Sequence, residues 1–535
     1  MEAHSTLKPA VNDTGSRYRS DIDGLRAIAV SLILLFHLGL TGLAGGYTGV
    51  DIFFVISGYL ITRSIVSDVR AGRFSFRRFY YRRARRLFPA YSITLLATAL
   101  ASALVLSSEH LYRFGQALLS SLFWVSNLFF WSESGYFDLS SHFKPLLHTW
   151  SLSVEEQFYL IWPGMIVLLL GLRSRLAAPI ALGVLSLGSL LAAEYWLSRN
   201  ASTAFYWLPF RVFEFGLGAL VIWLEKRSPL HGDLLRSATG IAGLALIAYA
   251  AFSFDAQTPF PGLNALFPCL GTALLIYAGE STLSRIVLQN RLSVFLGLIS
   301  YSVYLVHWPI IVLYGYWDAP YLSAVEQVSI GVISIALWTL SWKFIEQPFR
   351  YGSVNRHFLV DRINAHFLKA AASVFAICAL TGTSMWIHNG WPWRFDGPQL
   401  TASEIETGKN KRYEKWTSSS CQILDFPDGK NCTPAGTGSE VFDTLVIGNS
   451  HAIDGYNIWR SAFGDIPNHR IIWFGSTNKC REFREEEEKM RGDSKLCFER
   501  FAAVSRREFL EQLDVVVFSS KEPFSRKKDP DYRLF

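Results

Sequence analysis

Residues 27–43, AIAVSLILLFHLGLTGL, form the apolar run that decides the fold class of this chain. Residues 1–20 ahead of the run are polar, and Arg17, Arg19 and Arg26 lie just before it. Further apolar segments follow the run, whereas a cleaved leader peptide ends at a small-residue cleavage site. We therefore interpret the run as an uncleaved first membrane helix and residues 1–20 as a cytoplasmic tail.

The composition of the 535 residues agrees with a membrane protein. Half of the residues (50%) are hydrophobic, and only 18% are charged. The net charge is +7, but arginine and lysine cluster between apolar segments rather than along one binding face. Such clusters are typical of the loops that set membrane topology, so nucleic acid is not an expected partner.

Apolar segments of about 20 residues, the length that crosses a bilayer, recur through the first 390 residues. The candidate spans are 26–43, 48–66, 87–107, 115–131, 150–171, 177–197, 208–225, 235–252, 264–280, 293–316, 323–345 and 367–389. Residues 70–86 contain eight arginines and no acidic residue, which predicts a cytoplasmic loop. The later basic loops, such as those at Arg173 and Arg227, also lie in the cytoplasm only if one of the candidate segments does not cross the membrane. Because 115–131 is short and polar, we predict that it is re-entrant or interfacial.

This count predicts an α-helical polytopic bundle of ten spans plus one linking span, followed by a small extracytoplasmic α/β domain. An odd number of crossings places the residues after about Gly390 outside the cytoplasm. The predicted divisions are a cytoplasmic tail (1–20), a membrane domain (21–352), a linker with the final transmembrane helix (353–390) and the extracytoplasmic part (391–535).

Ionisable side chains inside predicted spans are expensive in lipid and are therefore candidates for function. His37 titrates near neutral pH, so it can accept a proton from a hydroxyl or thiol, although it can also be a histidine that only joins helices. His307 lies in a later span. Arg211 and Glu214 have the i, i+3 spacing of a buried ion pair.

The basic loop and the segment 148–163 contain the other candidates. Arg83 and Arg86 share one face of a helix and can bind phosphates, but an ordinary topology-setting loop has the same composition. Glu155 and Glu156 open a predicted helix, where acidic residues complement the helix dipole. Both cannot face lipid, so at least one of them is predicted to point inward.

The order of these motifs along the chain is more specific than any one of them. The motifs are DGLRAIAV (23–30) with His37, GGYTGVDIFFVISGYLIT (45–62), RRARRLFP (82–89), WSLSVEEQFY (150–159), SYSVYLVHWP (300–309) and IEQPFR (345–350). Over residues 18–352 the series resembles the membrane acyltransferase family 3, whose members O-acetylate bacterial surface glycans.

This resemblance implies a membrane O-acyltransferase of the bacterial inner membrane. Such an enzyme moves an acyl group, usually acetyl, from cytoplasmic acyl-CoA to a hydroxyl of an extracytoplasmic polysaccharide or lipid-linked glycan. The resemblance implies that His37 and Glu156 are catalytic, that Arg83 and Arg86 bind the CoA phosphates, and that His307 has a role. Acetyl-CoA is the implied co-substrate, membrane lipid is a partner, and no metal ion is expected.

A polar C-terminal part begins near Trp391. Segments 443–447, 470–474 and 514–518 are predicted strands, and a helix is predicted near 498–511, which together indicate a parallel α/β sheet. Ser450 follows the first strand closely. This part resembles the SGNH hydrolase domain, and the resemblance implies that Ser450 is its nucleophile.

The match to the SGNH pattern is partial. Asn449 stands where the pattern has aspartate, and no Asp-x-x-His occurs before Phe535. Two alternatives remain open: a shortened SGNH domain, or a domain that binds or positions glycan without a catalytic triad.

The six cysteines divide between the two parts of the chain. Cys269 and Cys378 lie in apolar segments and are expected to be buried core residues. The C-terminal part contains four, and an even number suits disulfides in an oxidising compartment. The pairs that we favour are Cys421–Cys432 and Cys480–Cys497.

A transporter or flippase of a surface-glycan precursor is the alternative function, because buried charges also suit a substrate pathway. Against it, the sequence has no visible inverted repeat, and an arginine pair for CoA has no obvious purpose in transport. A purely structural anchor for the C-terminal domain leaves His37 and the two glutamates unexplained.

Overall fold

The computed structural model describes residues 18–134, 141–172, 174, 176–316, 325–327, 329–332, 339, 357–394, 442–448, 469–475 and 511–519. The chain separates into two units, Met1–Ala402 and Ser403–Phe535. Within the described residues, the first unit consists of helices and short connections, and the second contributes three strands.

Helices of the first unit follow the apolar segments of the sequence. In chain order they are α1 (Ser20–His37), α2 (Gly49–Arg70), α3 (Phe76–Val105), α4 (Ser108–Leu122), α5 (Ser126–Glu133), α6 (Thr149–Gly171), α7 (Ala177–Leu197), α8 (Ala201–Tyr206), α9 (Val212–Arg227), α10 (Asp233–Ser253), α11 (Leu266–Ala278), α12 (Thr282–Val287), α13 (Arg291–Tyr314) and α14 (His357–Ile387). Among the described residues, seven helices are long and apolar enough to cross a membrane: α2, α3, α6, α7, α10, α13 and the Lys369–Ile387 part of α14. The chain is therefore a multi-pass membrane protein.

The predicted spans agree with these helices in most places, and the span 177–197 coincides with α7. The first span was predicted wrongly as 26–43, because α1 begins at Ser20 and ends at His37. Asp21 and Asp23 in its first turn complement the positive end of the helix dipole. The helix ends early because the chain turns at Gly39, which has a φ of 78°.

Two further predicted segments differ from a simple span. The segment 115–131 is divided between α4 and α5, and Trp124 interrupts the helix with a φ of 57°. Neither helix is long enough to cross a bilayer. Most of the predicted span 323–345 lies outside the described residues. The number of ten spans plus one linking span therefore stays a prediction.

Close backbone contact joins α2 to α9. A Cβ atom on Gly58 would lie 2.0 Å from the carbonyl oxygen of Phe215, and one on Gly218 would lie 2.0 Å from that of Val55. Small residues permit such an approach between membrane helices, whose association depends on van der Waals contact. The contact fixes two helices whose first turns carry acidic residues, Asp51 in α2 and Glu214 in α9.

The second unit contains the strands β1 (Phe442–Gly448), β2 (His469–Gly475) and β3 (Val515–Ser519). They form a parallel sheet in the order β2-β1-β3, with Phe442 opposite His469 and Thr444 opposite Val515. The three predicted strands and their parallel arrangement are confirmed. The α/β class stays a prediction, because the predicted helix lies almost entirely outside the described residues.

Among the cysteines, Cys269 and Cys378 are free and buried, as predicted. The four cysteines of the C-terminal part lie outside the described residues, so their pairing stays a prediction.

Candidate active site

His37 and His307 form a hydrogen-bonded pair although 270 residues separate them. His37 is the last residue of α1, and His307 lies in α13. His37 Nδ1 lies 3.0 Å from His307 Nε2, and the ring centroids are 5.2 Å apart. The Trp308 ring packs against His37 with 4.6 Å between ring centroids.

The hydrogen bonds of this pair assign its proton positions. His307 Nδ1 lies 2.8 Å from the carbonyl oxygen of Tyr304, which can only accept, so Nδ1 carries the proton. Neutral His307 then has a bare Nε2, and His37 Nδ1 must donate to it. Neutral His37 keeps a bare Nε2, to which no described residue forms a hydrogen bond. The pair therefore presents one nitrogen that can accept a proton from a substrate.

A third histidine, His148, precedes α6 and lies beside the pair. Its ring centroid is 5.8 Å from that of His307, and the residue is only 4% exposed. Tyr304 holds this end of α6 against α13, because its hydroxyl donates to the His148 carbonyl oxygen at 3.0 Å and lies 2.5 Å from Ser151 Oγ. The three imidazoles are therefore neighbours, and we call His37, His148 and His307 the histidine cluster.

A second polar group lies farther along α6. Glu155 accepts hydrogen bonds from the hydroxyls of Ser57 in α2 and Tyr159 in α6. The Arg83 guanidinium lies over the Tyr159 ring, 3.8 Å from its centroid, in a cation–π contact. At a rise of 1.5 Å per residue, Tyr159 lies about 16 Å along α6 from His148.

Arg83 and Arg86 of the basic segment keep their hydrogen-bond donors available and, unlike the exposed Arg70, Arg77 and Arg78, are partly buried. Asp68 binds Arg73 at 3.1 Å and Arg82 at 3.0 Å, so those two guanidiniums are paired. By contrast, Arg83 Nε is buried without a hydrogen-bond partner. No ion pair or hydrogen bond joins Arg83 or Arg86 to another described residue. Guanidiniums with free donors can bind an anion.

A buried ion cluster ties α2 to α9. Arg211 Nη1 lies 3.0 Å from Asp51 and 2.6 Å from Glu214, and Arg211 Nε donates to the carbonyl oxygen of Phe205 at 3.0 Å. The predicted Arg211–Glu214 pair is confirmed, and Asp51 joins it. Asp51, Glu214 and Cys269 also bring three possible metal-ligand atoms within 4.8 Å of one another. Arg211 already supplies the cation that the two carboxylates share, so we assign this cluster a structural role.

The predicted site residues therefore fall in different places. His37 lies in the histidine cluster together with His307. Glu156 is instead in α6 beside Glu155, one turn before Tyr159, over whose ring the Arg83 guanidinium lies. Arg83 and Arg86 lie in the first turns of α3 with their donors free. Ser450 lies outside the described residues.

Four residues of these groups were missed by the sequence interpretation: His148, Ser151, Tyr159 and Tyr304. Three of them, with Glu155, recur every three or four residues from 148 to 159. This spacing places side chains on one face of a helix, so it was a usable signal. Tyr304 lies one turn before His307, but nothing in the sequence indicates that its hydroxyl reaches α6.

Comparison with known proteins adds family information. Residues 19–343 match the family model described as "Acyltransferase domain". A Bacillus subtilis protein named "Putative peptidoglycan O-acetyltransferase YrhL" is 29% identical over 511 residues, covering 84% of this chain and 79% of that protein. The Staphylococcus aureus protein named "O-acetyltransferase OatA" is 31% identical over 351 residues, covering 62% of this chain and 57% of its own length. No solved structure matches the chain.

We predict that Arg211→Met destabilises the protein by about 3–5 kcal/mol, because it leaves two buried carboxylates without a cation. The measurement is the unfolding temperature of the protein in detergent. The triple variant Asp51→Asn, Glu214→Gln, Arg211→Met removes all three charges and should recover most of the loss. Arg199→Met is the control, since Arg199 is exposed, stacks over the Tyr195 ring and donates to the Tyr195 carbonyl oxygen at 3.1 Å, with no carboxylate beside it among the described residues. An Arg211→Met protein that unfolds at the wild-type temperature would contradict the assignment.

Proposed function

This chain belongs to the acyltransferase family whose model matches residues 19–343, and we propose that it transfers an acetyl group from cytoplasmic acetyl-CoA to a hydroxyl of an extracytoplasmic surface polysaccharide. The observation that carries the proposal is the bare Nε2 of His37, which its bond to His307 keeps free. The relatives' names support an acetyl group and, in one of them, a peptidoglycan acceptor.

Membership of this family confirms the resemblance found in the motifs and the prediction of an acyltransferase. The likeness of the C-terminal part to an SGNH hydrolase stays a prediction. Transport or flipping of a glycan precursor is not favoured, because the family match covers residues 19–343 of the helical unit.

His37 is the proposed general base. The hydroxyl that first accepts the acetyl group attacks the thioester carbonyl carbon while its proton passes to His37 Nε2. The resulting intermediate then expels the CoA thiolate, which takes up that proton. His307 acts through His37, because the hydrogen bond between them holds the ring with Nε2 unprotonated.

Arg83 and Arg86 are the proposed ligands of the CoA phosphates. Their free donors support this role, since neighbouring Arg73 and Arg82 are already paired with Asp68. The distance along α6 of about 16 Å between the Arg83 contact and His148 calls for a long carrier between anion and acyl group. The pantetheine arm of CoA is such a carrier.

Glu156 has a different proposed role from the direct catalysis that the resemblance implied. Glu156 lies in α6 one turn before Tyr159, and the Arg83 guanidinium stacks on the Tyr159 ring. We propose that Glu156 orients Arg83 rather than contacting the acyl group.

The proposed direction of transfer follows from the charge of the loops. The eight arginines of residues 70–86 favour the cytoplasmic side of a bacterial inner membrane, where acyl-CoA is found. With the tail 1–20 on that side, α1 ends toward the opposite face, and His37 is its last residue. This orientation gives the base access to an extracytoplasmic acceptor.

Ser450 is the proposed nucleophile of the C-terminal unit, where it would receive the acetyl group before the glycan does. It follows β1 by two residues, and β1 is the middle strand of the described sheet. Ligands of parallel sheets bind beyond the carboxyl ends of their strands, which supports the position. The alternative is that the unit binds glycan without a catalytic serine.

We predict that His37→Ala lowers acetyl transfer at least about 100-fold, because it removes the base. The measurement is transfer of radiolabel from acetyl-CoA to a panel of surface polysaccharides, peptidoglycan strands included, by membranes that contain the chain. His231→Ala, at an exposed histidine outside the helices, is the matched control and should retain activity. Undiminished transfer by His37→Ala would exclude His37 as the base.

We predict that Arg83→Ala and Arg86→Ala each raise the KM for acetyl-CoA about 10- to 100-fold, because each loses a charged hydrogen bond to phosphate. The same variants should use acetyl-pantetheine, which lacks the nucleotide phosphates, as well as the wild type does. Arg78→Ala removes an exposed charge from the same helix and serves as control. Variants that lose as much with acetyl-pantetheine as with acetyl-CoA would argue against a phosphate contact.

We predict that Ser450→Ala abolishes acetylation of the glycan, while His37-dependent release of CoA thiol from acetyl-CoA continues with water as the acceptor, which leaves the acetyl group as acetate. Thiol titration and radiolabel transfer measure the two steps separately. Ser461→Ala in the same unit is the control. Glycan acetylation that persists in Ser450→Ala would favour a unit that only binds glycan.

A further inference from the structure

His148 is buried in the histidine cluster with both ring nitrogens unused. It is 4% exposed, and neither Nδ1 nor Nε2 forms a hydrogen bond with any described residue. The carbonyl of Leu305 lies near the ring but makes no hydrogen bond of normal geometry with it. His37 and His307, by contrast, are bonded to each other, and His307 also to a backbone carbonyl.

An unused buried imidazole is costly, because its polar atoms lose water and gain nothing in return. A leucine would fill similar space without that cost. The backbone of His148 already does the structural work at this point, since its carbonyl oxygen accepts from Tyr304. The side chain is therefore not needed to hold α6 against α13, and its ring nitrogens are available to a ligand atom.

The position of His148 indicates which ligand atom that is. His307 lies between the other two rings, with centroids 5.2 Å from His37 and 5.8 Å from His148. A substrate that extends from His37 Nε2 past His307 reaches His148.

We propose that His148 donates an N–H hydrogen bond to the acyl oxygen of the thioester, a role that rests on the proposed function. The acceptor oxygen forms a bond to the carbonyl carbon, its proton passes to His37, and the carbonyl π electrons move onto the acyl oxygen. That oxygen becomes an oxyanion and accepts from His148. When the C=O bond reforms, the C–S bond breaks, and the departing thiolate takes the proton from His37.

The free tautomer of His148 suits this role. No protein acceptor holds its proton on one nitrogen, so the proton can lie on the nitrogen that faces the acyl oxygen. A neutral imidazole can act as such an electrophile, as in triosephosphate isomerase. Donors already in position in a water-poor site stabilise a developing oxyanion strongly. A role in proton transfer is less suited, because His37 already supplies the base.

The test compares His148→Leu, which has no hydrogen-bond donor, with His148→Gln, which keeps an N–H but does not titrate. We expect His148→Leu to lower kcat about 100- to 1000-fold, as loss of an oxyanion donor does, with the KM for acetyl-CoA within about threefold of wild type. Its unfolding temperature should equal or exceed that of the wild type, because an unpaired polar group is gone. His148→Gln should retain kcat within about tenfold.

His110→Leu is the matched control. His110 is half-buried and its Nδ1 lies 2.5 Å from the Tyr316 hydroxyl, so this variant loses a made hydrogen bond. We expect it to lower the unfolding temperature and to keep kcat, the reverse of His148→Leu.

Transfer by His148→Leu within about threefold of wild type overturns the proposal, and so do leucine and glutamine variants that are equally inactive. If His148→Leu fails to fold, His148→Ala replaces it: turnover restored by added imidazole supports the proposal, and turnover that stays low overturns it. If the wild type transfers acetyl and His148→Leu does so too, this inference is overturned and the proposed function stands. A wild type that neither releases CoA thiol nor labels any glycan overturns the proposed function and this inference with it.

Discussion

The Arg211 ion cluster is the constraint on which the rest of the helical unit depends. A guanidinium this deeply buried requires carboxylates beside it, and Asp51 and Glu214 supply them from the first turns of α2 and α9. Both helices must therefore begin near one point, which the glycine contacts farther along them also require. The Arg211 guanidinium also lies 5.6 Å from the Trp150 ring, in the first turn of α6. The cluster therefore also fixes the start of α6, which His148 directly precedes.

The distribution of acidic residues decides which arginines remain available for a ligand. Among the described residues, Asp68 binds two arginines of the basic segment, Arg73 and Arg82. Arg83 reaches the interior of the bundle instead, where the Tyr159 ring supports its guanidinium without using its donors. A topology-setting loop and an anion site are therefore built from one arginine-rich segment, and the two interpretations of its composition are compatible.

Sequence alone predicted what depends on neighbours along the chain. The limits of α7, and those of the three strands to within one residue, followed from apolar runs, because burial of a continuous segment is a local property. The start of α1 was missed, because two aspartates in a first turn look like a polar tail until the helix dipole is considered. The pairing of His37 with His307 spans 270 residues, so no periodicity indicates it. Motif resemblance identified both residues but not the bond between them.

The hydrogen bond from His37 to His307 limits how much the site must rearrange during turnover. His37 donates through Nδ1 when it is neutral, and it donates through the same atom once Nε2 has gained a proton. The ring has no reason to turn or to exchange partners between the two charge states. Proton uptake and release at this nitrogen therefore require little rearrangement of the surrounding side chains, and the packed helices can stay fixed throughout the cycle.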